Sequence, residues 1–135
     1  MLIRFVVIAF LALAACQDAE TDPDTIRVTA DMIIDGDTVR TEGPNIRLTG
    51  EGDVAFDTPE TWRPNCETEA KLGKQATDLV RSLMPGKAVI LKRGGGGFGR
   101  DLGVLYGSDG QDVRGPLMAA GLAKASQNAD WCGGD

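Results

Sequence analysis

The 135-residue chain contains no histidine. Without an imidazole, it has neither a histidine general base nor a Ser-His nucleophilic pair, so any catalysis has to use carboxylates, arginines, water or a metal ion. Aromatic residues are also few, at 5% of the chain, whereas the hydrophobic content of 42% is ordinary for a small globular protein. The length is that of one domain with one modest core.

Net positive charge is the second feature that the chain lacks. Its formal charge is −6 at pH 7, and removal of Arg4, the one charged residue of the N-terminal stretch, would leave −7. A field of this sign does not attract polyanions. Any binding of a polyanion must therefore be local or assisted by a metal ion.

The sequence also lacks an apolar run long enough to span a bilayer comfortably. Residues 1–15 have one positive charge, then an apolar run and then small residues, which is typical of a secretory signal peptide. Residues 13–16, LAAC, resemble a bacterial lipobox, so Cys16 is the predicted lipidation site; an uncleaved anchor and a plain signal peptide are the alternatives. Residues 16–25 would then form a solvated acidic tether, and residues 26–135 the folded domain.

Cysteine is scarce, with three residues in the chain. If Cys16 carries a lipid, Cys66 and Cys132 remain in an oxidising compartment, where pairing is the default expectation. We predict a disulfide between them, which would stabilise the fold by about 4 kcal/mol on the chain-entropy model. The alternative is a pair of free buried thiols.

Hydrophobic periodicity predicts three strands, a helix, two strands and a second helix. The predicted elements are a strand-turn-strand unit over 25–41 around DGD, a strand at 45–49, a helix at 66–84, strands at 87–92 and 101–106, and a helix at 115–123. This order fits an α+β fold with a five-stranded Greek-key barrel of the OB type. The glycine run at 94–97 has no Lys-Ser/Thr ending, so it is not a phosphate-binding P-loop and is interpreted as a hairpin tip.

Several polar residues stand out in and beside the predicted turns. They are Asp35, Asp37, Arg47, Asp57, Thr58, Glu60 and Arg100. Each alone has a structural explanation, because Asp and Gly shape turns, arginine extends from a strand edge, and Thr-Pro-Glu often begins a helix. Glu60 is the exception in FDTPET, since the turn is already explained without it.

Taken together, these stretches resemble the staphylococcal nuclease-like (thermonuclease) family, an OB-fold group that cleaves DNA and RNA with calcium. The resemblance runs from about Val28 to Lys124 and keeps the order of the family's motifs. The matching stretches are DGDTVR, IRLTG, FDTPET, CETEAKLGKQA, FGRDLG and DGQDVRGPLMAAGLAK.

The resemblance implies a role for each residue of the set. Asp37 and Asp57 would bind Ca²⁺ through their carboxylates and Thr58 through its carbonyl, as suits a hard cation. Glu60 would be the general base that deprotonates the attacking water. The remaining assignments are Arg47 and Arg100 as the phosphate clamp and Asp35 as a support of the metal site.

The chain departs from the family at two places. Residues 51–55, EGDVA, lie between the IRLTG and FDTPET motifs, where the family usually has no insertion. The tyrosines and the lysine expected around the substrate are missing, which leaves Phe98 as a possible stacking surface. If the insertion loops out, the site survives; if it shifts the turn, catalysis falls by about a hundredfold for an ångström or so.

The leading hypothesis is therefore a calcium-dependent, sequence-nonspecific nuclease acting on DNA, RNA or both. Its predicted location is the bacterial cell envelope, on a lipid anchor at the periplasmic or outer-membrane face, with a monomer as the default state. One alternative is a catalytically weakened OB-fold lipoprotein that binds nucleic acid or another ligand. The other is a lipoprotein whose barrel serves only protein contacts.

Overall fold

The computed structural model describes residue 22 and residues 24–133. The predicted signal peptide at 1–15 and the predicted lipidation site at Cys16 lie outside the described residues, as does most of the predicted tether. Within the described part, neither helix has the length and apolar character needed to cross a membrane.

The described chain forms one curled sheet with two helices, which confirms the α+β class and the OB-like barrel. The six strands are β1 (Thr25–Val28), β2 (Ile33–Asp35), β3 (Thr38–Val39), β4 (Ile46–Thr49), β5 (Gly86–Lys92) and β6 (Asp101–Tyr106). Their order in the sheet is β1-β5-β6-β4-β3-β2, and β4 and β6 run parallel while the other neighbours are antiparallel. The helices are α1 (Glu67–Ser82) and α2 (Arg114–Ala119).

The sixth strand arises because the first predicted strand bends and divides. A short 3₁₀ turn at Ala30–Met32 separates β1 from β2, and the Thr29 hydroxyl donates a 2.6 Å hydrogen bond to Asp31 beside it. Such a local side-chain bond competes with strand pairing. Because β1 and β2 are the two edges of the sheet and consecutive in the chain, this bend carries the chain from one edge to the other and curls the sheet.

Helix α1 begins at its predicted start and packs against β2. Cys66 is the N-cap residue, and Glu67 and Glu69 occupy the first turn. Acidic side chains at this end interact favourably with the helix dipole and stabilise the helix. Gly73 lies on the buried face, and a Cβ at this position would stand 2.7 Å from the Glu60 carbonyl oxygen. The helix backbone therefore packs directly against the segment that carries Glu60.

One hydrophobic core fills the space between the curled sheet and the helices. Its largest fully buried side chains are Phe56, Ile33, Ile46, Leu48, Leu105 and Leu117. Phe56 matters most for the site, because its burial fixes the position of Asp57, the next residue in the chain.

The insertion at 51–55 forms a small hairpin of its own. Gly50 and Val54 exchange two backbone hydrogen bonds, of 2.7 and 3.2 Å, and Gly52 and Asp53 between them have positive φ angles. The Glu51 amide donates a 2.8 Å hydrogen bond to the Asp112 carboxylate, which precedes α2. The insertion thus loops out against the residues that precede α2 and rejoins the core at Phe56.

Candidate active site

The first acidic turn lies between β2 and β3. Asp35 Oδ1 accepts a 3.1 Å hydrogen bond from the Asp37 amide, and Asp37 Oδ1 accepts one of 3.1 Å from the Thr38 hydroxyl. A Cβ at Gly36 would lie 2.8 Å from the Thr58 side chain, so glycine allows the second acidic turn to approach. Asp35 and Asp37 are both buried in this turn.

Arg47 on β4 joins the two acidic turns. Thr38 stands opposite Arg47 in the β3–β4 pairing, which brings Asp37 beside the guanidinium. Arg47 Nη2 lies 3.0 Å from Asp37 Oδ2 and 3.0 Å from Asp57 Oδ1. Three of the predicted site residues therefore form one ion-pair cluster, with the Thr58 amide donating a 3.1 Å hydrogen bond to Asp37 Oδ2.

The negative charge of the cluster exceeds the single charge of Arg47. Burial raises the pKa of Asp35, and burial together with the Asp35 carboxylate raises the pKa of Asp37 to about 7. Burial, followed by the carboxylates of Asp37 and Asp57, also raises the pKa of Glu60. The site is thus electrostatically suited to an added cation, and its carboxylate and carbonyl oxygens are ligands that Ca²⁺ accepts.

The fit to a cation rests on few protein ligands. Among the described residues, no three cysteine or carboxylate side chains are already gathered around a common metal position. Asp37, Asp57 and the Thr58 carbonyl would be the protein ligands, with water completing the coordination shell as Ca²⁺ tolerates. The buried Thr58 hydroxyl oxygen has no hydrogen-bond partner in the described part of the chain, which leaves an unsatisfied oxygen at this turn.

Glu60 lies half-buried beside the cluster and is held by helix α1. Its backbone amide donates a 3.3 Å hydrogen bond to Glu69 Oε1, and the Asn65 amide donates one of 2.7 Å to Glu69 Oε2. Glu69 is itself buried, at 3% exposure. The sequence pattern does not single out Glu69, because its role in fixing the Glu60 loop depends on a contact that periodicity does not reveal.

Arg100 stands apart from the carboxylate cluster. Its guanidinium donates hydrogen bonds to the carbonyls of Gly96, at 3.0 Å, and Gly97, at 3.2 Å, in the glycine hairpin. Arg100 and Arg47 nevertheless line the same open cleft, of about 300 Å³, together with Gln127 and Asn128. The two predicted clamp residues thus share a cleft, but Arg100 is bound to its own loop.

Two exposed aromatic side chains flank the site. Phe98 is fully exposed at a positive φ of 51°, and the Arg100 guanidinium lies 5.7 Å from its ring centroid. Trp62 is 70% exposed, with Arg63 at 4.3 Å from its ring centroid. The sequence indicated Phe98 as a stacking surface and missed Trp62, although FDTPETW places it two residues after Glu60.

The C-terminal segment covers the outer side of Asp57. Asp57 Oδ2 accepts hydrogen bonds from the Ala129 amide, at 3.1 Å, and from the Trp131 indole, at 3.2 Å. The next residue, Cys132, has its sulfur 2.05 Å from that of Cys66, which is disulfide distance. Trp131 and Asp57 are 74 residues apart in the chain, and no sequence pattern predicted their contact.

Comparison with known proteins finds a similarity to an endonuclease. No family model matches the chain. A stretch of 101 residues is 30% identical to Endonuclease YhcR of Bacillus subtilis (strain 168), and the match covers 69% of this chain and 8% of that protein. The chain therefore spans less than a tenth of the length of this relative, and it is a distant homologue of an endonuclease.

Proposed function

We propose that the chain is a calcium-dependent, sequence-nonspecific nuclease of the staphylococcal nuclease-like type that hydrolyses phosphodiester bonds of DNA, RNA or both. The observation that carries this proposal is the buried cluster in which Arg47 joins Asp37 and Asp57 beside Glu60. Its excess negative charge suits a divalent cation, and its arginine opens onto a cleft. The similarity to an endonuclease supports the same reaction class.

Each residue has a defined task in this proposal. Asp37, Asp57 and the Thr58 carbonyl hold Ca²⁺, which when bound neutralises charge that develops on the phosphate. Glu60 accepts the proton of the attacking water, and its raised pKa makes it a better base than an exposed glutamate. Arg47 and Arg100 line the cleft and contact the phosphate oxygens.

The proposal extends to the setting of the enzyme. Cys16 is the lipidation site that anchors the domain at the cell envelope, on the periplasmic or outer-membrane face. Cys66 and Cys132 form a disulfide, which their neighbouring positions in the fold support. The enzyme acts as a monomer.

One observation favours a second candidate function, a nucleic-acid-binding module with weakened catalysis. Arg100 donates two of its five guanidinium N–H groups to the Gly96 and Gly97 carbonyls, so it is held on its own loop and only its other donors face a phosphate. A protein that binds without turnover would need the cleft and the exposed Phe98, but not Glu60. Glu60 is therefore the residue that separates the two functions.

The experiment compares cleavage of single-stranded DNA by residues 17–135, with Ca²⁺ or with chelator, for the unaltered chain and for Glu60→Gln. We expect calcium-dependent cleavage that Glu60→Gln reduces by at least about a hundredfold, the usual contribution of a general base. Glu67→Gln is the matched control, since Glu67 lies in an exposed ion pair with Lys71 on α1. It should cleave like the unaltered chain.

Two results would contradict the proposal. A folded, oxidised sample that binds single-stranded DNA without calcium-dependent turnover would favour the binding module. Equal cleavage by Glu60→Gln and Glu67→Gln would remove Glu60 from the reaction.

A further inference from the structure

The Asp57 carboxylate is held on both sides by the protein. Arg47 contacts Oδ1 at 3.0 Å, while the Ala129 amide and the Trp131 indole both donate to Oδ2. The Trp131 side chain is buried, so its indole N–H has given up water for this one acceptor. The C-terminal segment therefore makes a directed contact with a residue that the proposed function needs as a metal ligand.

The segment that carries Trp131 is fastened at both ends. Lys124 pairs with Asp57 through two backbone hydrogen bonds of 3.0 Å, and its ammonium group donates a 2.6 Å bond to the Asp130 carbonyl and lies 4.5 Å from the Trp131 ring centroid. On the other side, Cys132 is at disulfide distance from Cys66, the N-cap of α1. Trp131 is thus confined between a backbone bridge and a sulfur link.

A carboxylate without fixed partners turns about its last side-chain bond, because that torsion has a broad, roughly two-fold energy profile. Hydrogen-bond donors on the oxygen that faces away from a metal fix its orientation, and loss of such a partner typically costs tenfold to a hundredfold in metal affinity. Resting on the proposed function, we propose that Trp131 is a positioning residue: its indole holds Oδ2 of Asp57, so that Oδ1 stays beside Arg47, which also contacts Asp37, and is presented to the cation.

The link between Cys66 and Cys132 also connects Trp131 to the helix that holds Glu60. Cys66 begins the helix whose Glu69 binds the Glu60 amide, and Cys132 follows Trp131 directly. One link therefore joins the element that holds the base to the segment that orients a metal ligand.

The test is calcium binding measured by titration calorimetry, with no nucleic acid present, on residues 17–135. Trp131→Phe keeps an aromatic ring and removes only the indole donor. Trp62→Phe is the matched control, because it makes the same change at the other tryptophan of the chain, which is 70% exposed. We expect the calcium Kd to rise by about tenfold in Trp131→Phe and to stay unchanged in Trp62→Phe.

A second measurement needs no variant of Trp131. In nitrogen-15 spectra of the Trp62→Phe chain, a single indole N–H signal remains, and we expect Asp57→Asn or addition of Ca²⁺ to shift it. An unmoved signal in both cases would overturn the inference, as would a Kd in Trp131→Phe equal to or lower than that of Trp62→Phe. If the unaltered chain binds no calcium at all, the proposed function fails and this inference fails with it.

Discussion

Asp37 shows most clearly how single residues determine the character of the site. It pairs with Arg47 and accepts hydrogen bonds from the Thr58 amide and the Thr38 hydroxyl, all of which favour its charged form. Its pKa is nevertheless raised to about 7, because burial and the neighbouring Asp35 carboxylate outweigh these partners. A cation bound beside Asp37 would therefore favour its charged form.

Asp101 provides the opposite case and a test of stability against pH. Its buried carboxylate accepts 2.9 Å hydrogen bonds from the Gly94 amide and from Arg93, and these bonds hold its pKa below the usual range, the Gly94 amide most of all. A lowered folded pKa contributes stability that is present above the unfolded pKa and lost as pH falls through the folded one. We expect Asp101→Asn to lower the free energy of unfolding at pH 7 and to flatten its fall below about pH 4.

Urea unfolding of both proteins between pH 3 and pH 7 measures this difference. Asp78→Asn is the control, because Asp78 lies in an exposed ion pair with Lys74, and such pairs contribute little. Coincident stability curves for Asp101→Asn and the unaltered chain would show that the bonds to Gly94 and Arg93 do not stabilise the fold.

At the scale of elements, local patterns predicted α1 and the β5–β6 pair well, because periodicity and helix caps are properties of neighbouring residues. Helix α2 is shorter than the predicted 115–123, since Gly121 adopts a φ of 71° and ends it. The bend that divides β1 from β2 depends on the Thr29–Asp31 contact, which the strand pattern of 25–34 conceals.

The candidate site was predictable to a similar extent. The motif resemblance indicated Asp37, Arg47 and Asp57, and the structure brings these three together in one cluster. The supporting contacts are less apparent in the sequence: Trp131 binds Asp57 from 74 residues away, and the Glu69 side chain holds the loop of Glu60. Such contacts follow from the packed fold and leave no periodic trace in the sequence.

The insertion at 51–55 is the element whose effect is easiest to measure. Gly50, which precedes it, forms a backbone bridge with Val54 near its end, and Phe56 follows Val54 by two residues, so the chain ends left by its removal, Gly50 and Phe56, are close. Deletion of 51–55 removes the hydrogen bond from the Glu51 amide to Asp112, which lowers the stability by about 1 kcal/mol. The shorter loop offsets little of this loss, because loop-closure entropy depends only weakly on loop length. We expect calcium-dependent cleavage to stay within about tenfold of the unaltered chain, against the hundredfold expected for an ångström shift at Asp57.

Cleavage assays and urea unfolding on the deletion variant check this expectation. The control replaces residues 51–53 by Gly-Ser-Gly, which keeps the length of the hairpin. A folded deletion variant that loses all activity, beside an active control, would mean that the insertion positions Asp57 and does not merely loop out.

At the scale of the whole molecule, charge and function appear opposed, since a chain of formal charge −6 is proposed to bind a polyanion. The proposed function resolves this opposition locally, because a divalent cation would reverse the field of the carboxylate cluster and two arginines line the cleft. The remaining acidic surface gives no long-range steering toward the substrate. Affinity must then come from a few short-range contacts.

This view predicts a shallow dependence of substrate binding on salt. For single-stranded nucleic acid, each phosphate that a protein neutralises contributes about 0.7 to the slope of log KM against log salt. Two arginines that each contact one phosphate therefore give a slope of about 1.4. Arg100→Gln should lower the slope by about 0.7. Arg63→Gln removes an exposed arginine that is stacked on Trp62 and does not line the cleft, so it should leave the slope unchanged. Cleavage kinetics from 50 to 300 mM NaCl at fixed, saturating calcium give these slopes.

A slope of 4 or more in the unaltered chain would show that further basic residues contact the strand. An unchanged slope in Arg100→Gln would mean that this arginine stays on its own loop.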